Sequence, residues 1–286
     1  MTGAINRGNA GPGGGEALRA RSCGQQTGGD MTTISAIIIT KNEEANIRAC
    51  LESLTWVDEI VVVDSGSSDR TEPICREFGA RFYSHDWPGF GPQKNRALDY
   101  AISDWVLSID ADERVTSELR TEIREVLASP AAMAYELPRL SWYCGRFMRH
   151  SGWRPDYVLR LFRRGRARFT EHLVHERVEA TGESVGRLRH ELHHYSYRDV
   201  DQVLATLRRY ATLGAAQKYA AGGKAGLLQA ISRGFWCLFY TYILRAGFLD
   251  GRQGIMLAIS NAEVTYYKYL KLCELSEGES AEAAAR

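Results

Sequence analysis

The chain has 286 residues, of which 44% are hydrophobic and 25% charged. That is the balance of one large globular domain with an appendage, too apolar for a disordered chain. A formal net charge of +1 gives no global ground for a nucleic-acid partner. The longest apolar run, Phe235 to Leu244, is about half the ~20 residues that cross a bilayer.

Residues 1–30 hold nine glycines and no apolar periodicity, so a disordered leader without a signal-peptide core is expected. Met31 is a candidate start. Ile34 to Ile39 is a run of β-branched and small residues, the pattern of a strand buried on both faces. Ile47, Cys50, Leu51 and Leu54 then repeat at helical spacing. Glu59 to Val63 reads as a second buried strand. Asp69 with Glu72 resembles a capping box opening a helix that stops at Gly79. A third strand at Arg81–Ser84, a helix at Gln93–Ile102 and a fourth strand at Trp105–Ile109 follow. This alternation predicts an α/β, Rossmann-like, mostly parallel sheet. After a helix at Ser117–Leu127 the rhythm breaks, and Tyr135–Phe147 and Tyr157–Phe162 read as strands of a mixed region. From Asp199 the chain reads as helical, interrupted at Gly222-Gly223. The expected organisation is a leader at 1–30, a catalytic domain at 31–198 and a helical region at 199–286.

Ligands of such sheets bind beyond the carboxyl ends of the strands. Three polar segments fall there: Thr40 to Glu43, Asp64 to Asp69 and Asp110 to Glu113. Asp110 and Asp112, two positions apart, point to one site and can hold Mg²⁺ or Mn²⁺ against a diphosphate. An acidic pair in an ordinary loop is the alternative. Asp64 can accept hydrogen bonds from a ribose or base, or can simply shape a Ser/Gly turn.

Ile37 to Glu44, Val61 to Asp69, Gln93 to Leu98 and Asp110 to Glu113 together resemble glycosyltransferase family 2, whose catalytic domain has the GT-A fold. The resemblance spans roughly Thr33 to Val178. Arg160 to Arg164, Val174 to Arg177 and Gly247 to Gln253 are similar to the lipopolysaccharide inner-core β-glycosyltransferases of that family. The resemblance implies that Thr40, Asn42, Glu43 and Asp64 line a nucleotide pocket. It further implies that Lys94 sits near base or diphosphate, Asp110 meets ribose, and Asp112 meets the metal. Arg70 stands where many relatives carry glycine, which bears on the loop around it.

The family generally inverts the anomeric centre, which needs one general base for the acceptor hydroxyl. Glu176, with His175 to orient it or touch the acceptor, is the first candidate and Glu171 the second. Strand alternation also allows Glu176 to be an arginine's salt-bridge partner. Glu171 and His175 lack the second histidine of a zinc motif. His190, His193 and His194 read as structural, with an acceptor contact as the alternative.

Arg139 to Arg168 carries nine arginines with Asp156 as its only acid. This suits phosphates or anionic lipid heads, or else a solvated face. Arg160, Arg163 and Arg164 are the candidates for holding a diphosphate. Six cysteines without a C-x-x-C pair fit free thiols in a reducing compartment. Gly226 to Leu249 interleaves aromatic and aliphatic residues with Arg233 and Arg245, fitting a helix lying in a membrane interface. Packing on the catalytic domain or on a second subunit is the other reading.

The expected protein is a metal-dependent inverting hexosyltransferase, moving glucose from UDP-glucose to the inner core of lipopolysaccharide. It would be a peripheral protein at the cytoplasmic face of the membrane, with a lipid-linked saccharide as acceptor. Rival readings are a family 2 transferase with a polyprenyl-phosphate or protein acceptor, a nucleotidyltransferase, and a non-catalytic nucleotide-sugar-binding scaffold of envelope assembly.

Overall fold

The computed structural model describes residues 32–170, 178–180 and 184–284. The segment 1–30 and the base candidates Glu171, His175 and Glu176 lie outside the described residues.

Strands β1 (Ile34–Thr40), β2 (Glu59–Asp64), β3 (Arg81–Ser84) and β4 (Trp105–Ser108) are parallel, in the order β3-β2-β1-β4. Helices α1 (Ile47–Glu52), α2 (Thr71–Glu77) and α3 (Phe90–Tyr100) connect them. The β-branched run of β1 serves two cores at once. Ala36 and Ile38 pack with Leu51 of α1 and Ile74 of α2, while Ile37 packs with Ala97 and Leu98 of α3 on the other face. Alternating side chains on a two-sided strand require this, and each fully buried aliphatic contributes about 1.5–3 kcal/mol.

The remaining half of the sheet is mixed. Strands β5 (Glu113–Val115), β6 (Ala134–Tyr143), β7 (Arg146–Phe147), β8 (Tyr157–Arg163), β9 (Ala167–Phe169), β10 (Val178–Ala180), β11 (Val185–Arg187) and β12 (Leu192–Tyr197) follow, with α4 (Ser117–Ala128) between β5 and β6. The full order is β3-β2-β1-β4-β8-β6-β12-β5, with β7 and β11 attached to β6 and a separate β9–β10 pair. β8 runs antiparallel to both neighbours. The strand expected over Tyr135–Phe147 is broken by a turn, with Cys144 at φ 44 and Gly145 at φ 103.

Two local expectations are corrected. The helix expected from Gln93 begins at Phe90, after Gly89. The capping box does not form, because Arg70 is the N-cap of α2 and its side chain makes no cap bond. Asp69 accepts from Thr71 N at 3.0 Å, and Glu72 pairs with Arg76 at 2.6 Å. Arg70 sits at φ −83, so the residue that replaces glycine there carries no left-handed strain.

Asp199 caps α5 (Val200–Ala220), accepting from Gln202 N at 2.9 Å. Val203, Leu207, Ala211 and Ala215 form its buried stripe, and Gly222 leaves the helix at φ +77. Helix α6 (Leu227–Phe239) runs into a π-helical turn at Tyr240–Leu244, a 3₁₀ turn at Gly247–Asp250 and α7 (Gly251–Ala284). Tyr143 and Met148 share a core with Val203 of α5 and Leu257 of α7. The Gly247–Gln253 motif acts as a fastener. Buried Asp250 accepts from the backbone N–H of Arg149 at 3.1 Å and of His150 at 2.9 Å. A Cβ on Gly254 would stand 1.8 Å from the Gly247 carbonyl oxygen, so only glycine permits this approach.

Candidate active site

The register pairs Thr40 with Asp64 and brings the ends of β1 and β4 side by side. A cavity of about 710 Å³ opens beyond those ends. Thr40 lines it from the end of β1, Lys41 and Glu43 from the loop that follows, Lys94 from α3, and Asp110 and Asp112 from the turn after β4. Five of the expected site residues, Thr40, Glu43, Lys94, Asp110 and Asp112, therefore share one space.

Asn42 and Asp64 do not line this cavity. The Asp64 carboxylate accepts from Thr40 Oγ1 at 2.9 Å, Gly66 N at 2.8 Å, Ser67 N at 2.7 Å and Ser67 Oγ at 2.5 Å. Four internal bonds engage both oxygens and shape the Ser65–Asp69 loop. Asn42, at φ 55, accepts from Ser68 N at 2.8 Å and donates its own N–H to Ser67 Oγ at 2.7 Å. Together the two side chains lock the loop after β1 to the loop after β2, the turn-shaping alternative for this segment.

Asp110 is held by cations on both oxygens. Lys94 Nζ lies 3.0 Å from Oδ1, and Arg160 Nη2 donates to Oδ2. The same Nη2 donates to Glu113 Oε1 at 2.8 Å, and Glu113 Oε2 accepts from Asp110 N at 2.9 Å. Burial alone would raise the Asp110 pKa, but Arg160 and Lys94 overcome it and hold the carboxyl well below the usual carboxylate range. Arg160 is pushed up in turn: burial opposes its charge, and Asp110 and Glu113 more than offset that. Arg160 Nε is buried without a hydrogen-bond partner among the described residues, so two carboxylates share one end of the guanidinium.

Glu43 behaves in the opposite way. Burial raises its pKa, against a lowering bond from Asn46 Nδ2 at 2.8 Å, and the nearby charge of Asp112 raises it further.

Asp112 keeps 30% of its side chain exposed to the cavity, with His194 Nε2 3.2 Å from Oδ2. Ser141 Oγ and Ser196 Oγ lie 3.0 and 2.9 Å from His194 Nδ1 and set the ring's orientation. A hard carboxylate oxygen and an imidazole nitrogen thus face one space. No group of three metal-ligating side chains occurs among the described residues. Such a two-donor set would fit a divalent ion, Mg²⁺ or Mn²⁺, that takes its remaining ligands from phosphate oxygens and water.

The arginine expectation is corrected for all three candidates. β8 runs antiparallel to β4, so Arg163 pairs with Trp105 at the opposite end of β4 from the site. Arg164 Nε donates to Ser103 O at 2.8 Å, at that same far edge. Arg160 is buried and spent on Asp110 and Glu113.

Of the three clustered histidines, His190 pairs with Glu122 and His193 lies tilted against Phe147, and His194 is the one histidine among the described residues that lines the cavity. Trp87 in the loop before α3, Phe90 at the first residue of α3, and Arg209 and Tyr210 of α5 also line the cavity. No sequence motif marked these four. They come from a loop, from the first turn of α3 and from a helix about a hundred residues beyond Asp112.

The sequence model of Glycosyl transferase family 2 matches residues 35–180, a span holding the parallel strands, Lys94 and the Asp110–Asp112 turn. The chain belongs to this family and is a glycosyltransferase of the GT-A fold. It is 32% identical over 264 residues to the lipopolysaccharide core biosynthesis glycosyltransferase LpsC of Rhizobium meliloti, covering 82% of this chain and 93% of that one. Among solved structures, S. aureus TarS 1-349 in complex with UDP is 15% identical, with 87% and 92% covered and a TM-score of 0.46. The glucosyl-3-phosphoglycerate synthase of Mycobacterium tuberculosis, solved with Mn²⁺ and UDP, is 28% identical over 39% of this chain, with a TM-score of 0.33. The present chain spans 44% of that structure's length.

Proposed function

We propose that the protein transfers a hexose, glucose from UDP-glucose, with inversion, onto the inner core of lipopolysaccharide. The observation that carries this reading is the shared cavity. Asp110 is held ionised there, and Asp112 is exposed beside His194. The 32% identity to LpsC, spread over most of both chains, supports the acceptor class.

In this reading the acceptor hydroxyl oxygen forms a bond to C1 of the sugar as the bond from C1 to the diphosphate breaks. The hydroxyl proton passes to a general base, for which Glu176 remains the candidate, and the electron pair leaves with the diphosphate. Asp112 and His194 would hold the divalent ion, which neutralises charge on the departing diphosphate. Lys94 and Arg160 keep Asp110 charged and fixed in place. Thr40 and Glu43 border the space for the nucleoside.

The test is a thermal-shift screen against UDP-, GDP-, ADP- and CMP-sugars, each with and without Mn²⁺. A ligand that binds only the native state adds about 2.7 kcal/mol of stability at a hundred times Kd and so raises the melting temperature. UDP-glucose with Mn²⁺ is expected to give the largest shift. A larger shift with another nucleotide sugar would replace the donor, and no shift with any would remove the transferase mechanism proposed for this cavity.

The helical region supports a membrane-bound acceptor. Leu228, Phe235 and Trp236 are 83%, 69% and 56% exposed, and Phe239, Leu244, Phe248 and Leu249 continue the apolar surface. Arg245 lies over the Tyr240 ring at 5.1 Å and Arg233 over Tyr269 at 5.7 Å. Among the described residues no helix is long and apolar enough to cross a membrane. Exposed aromatics bordered by arginines suit shallow insertion among anionic head groups at the cytoplasmic face. The Leu228→Asp/Phe235→Asp double variant is expected to bind anionic vesicles roughly 100-fold more weakly in flotation, given the transfer value of two large apolar side chains. Its melting temperature should stay put, since both side chains are exposed. A wild-type protein that stays off such vesicles at low salt would rule out this surface.

A further inference from the structure

We infer that Arg209 of α5, with Lys41 beside β1, grips the diphosphate of the nucleotide donor, so that the helical region completes the donor site. This rests on the donor reading above and adds a residue that lies outside the family match of residues 35–180.

The charge of the cavity carries the inference. Glu43, Asp110 and Asp112 bring three carboxylates to its wall, and a nucleoside diphosphate adds further negative charge. Lys94 and Arg160 are committed to Asp110, and Arg163 and Arg164 lie at the opposite edge of the sheet. Two cations remain on the wall, Lys41 and Arg209, and neither side chain has a hydrogen bond or ion pair among the described residues.

The placement of Arg209 follows from the helix that bears it. Val203, Leu207, Ala211 and Ala215 repeat every four residues and are buried, which fixes the rotation of α5. Arg209 is two residues from both Leu207 and Ala211, about 200° round the helix from each, so it projects away from the buried stripe. With Tyr210 it forms the part of the cavity wall that α5 supplies. A guanidinium offers paired N–H donors in a planar fork that matches phosphate oxygens, which an ammonium does not. An exposed arginine with no side-chain partner among the described residues, on the wall of a cavity that holds three carboxylates, is the arrangement expected of a group whose partner is the ligand.

The test compares UDP with uridine, by calorimetry at fixed Mn²⁺, on the full chain, Arg209→Ala and Arg209→Lys. The wild type should prefer UDP. Arg209→Ala should bind UDP roughly 10- to 100-fold more weakly, the range for losing a charge-assisted bond, and uridine unchanged. Arg209→Lys should fall between. Unliganded melting temperatures should agree, because the side chain is exposed. If Arg209→Ala keeps the wild-type ratio of UDP to uridine affinity, or loses equally on both, the inference is wrong while the donor reading stands. If the wild type shows no preference for UDP over uridine, the donor reading fails and takes this inference with it.

Discussion

Replacing Arg160 with methionine is expected to cost about 3–5 kcal/mol of folding stability, the penalty for leaving a buried ion without its partner. Arg160 is buried, and its Nη2 serves both Asp110 and Glu113, the latter fully buried. Methionine fills much of the same volume but offers neither carboxylate a proton. Arg139 Nη1, at 3.7 Å from Glu113 Oε1, is too distant for a strong hydrogen bond. In a chain of this size the loss corresponds to roughly 6–20 °C in melting temperature. The pH dependence gives an independent sign. The folded pKa of Asp110 is depressed, so its contribution is fully present above the unfolded carboxyl value of about 3.9 and is lost as pH falls towards the lowered folded value. The gap between wild type and Arg160→Met should therefore be widest near neutrality and should narrow below about pH 4. Urea titrations from pH 3 to pH 7 measure both effects. A variant as stable as wild type at pH 7, with the same acid slope, would mean that the cluster is not a structural lock.

That lock was only half legible in the sequence. Asp110, Asp112 and Glu113 stand together at a strand end, and their position beyond β4 follows from the alternation of buried runs with helical stripes. Arg160 is nearly fifty residues away, on a strand whose direction periodicity does not determine. An antiparallel β8 brings Arg160 to Asp110 while carrying Arg163 to Trp105 at the far edge; a parallel β8 would have reversed those ends. The parallel half was readable because β1 is buried on both faces and so carries small and β-branched residues throughout, with Ile37–Thr40 an unbroken β-branched run. β6 has no such run: Glu136, Arg139 and Trp142, its partly exposed positions, recur every third residue, and its register shifts between Tyr135 and Glu136.

Short polar loops posed a different difficulty. Asp64 and Asn42 have the side chains of ligand-binding residues, yet in this fold their hydrogen bonds are made to neighbouring loop atoms. The same carboxylate chemistry serves either purpose, and only geometry separates them. His194 was ambiguous for a related reason. Three histidines lie within five positions, and the choice among them depends on β12 lying beside both β5 and β6, which presents His194 to Asp112 and Ser141. The contribution of α5 left no local trace, since Arg209 and Tyr210 look like ordinary exposed positions of an amphipathic helix.

Asp112→Asn should lower kcat/KM on the order of a thousandfold, about 4 kcal/mol of transition-state stabilisation, while leaving folding almost untouched. The two effects separate because of where the side chain sits. Asp112 is partly exposed, and its only side-chain partner among the described residues is His194 at 3.2 Å; Asp110, two positions earlier, is bound by two cations. Asparagine preserves size and one acceptor oxygen, so the backbone bond from Tyr195 N to Asp112 O at 2.8 Å should persist. What it loses is the negative charge that would hold a divalent ion against the diphosphate. His194→Ala removes the second donor and should cost about 10- to 100-fold in apparent metal affinity, with a smaller loss in turnover at saturating Mn²⁺. The paired measurement is turnover against Mn²⁺ concentration, alongside the Mn²⁺-dependent part of the UDP thermal shift. Asp112→Asn should abolish that part of the shift, and His194→Ala should move it to higher Mn²⁺. Near wild-type turnover in Asp112→Asn would exclude Asp112 as a metal ligand and leave the cations of the cavity, Arg209 and Lys41 among them, to stabilise the leaving group alone.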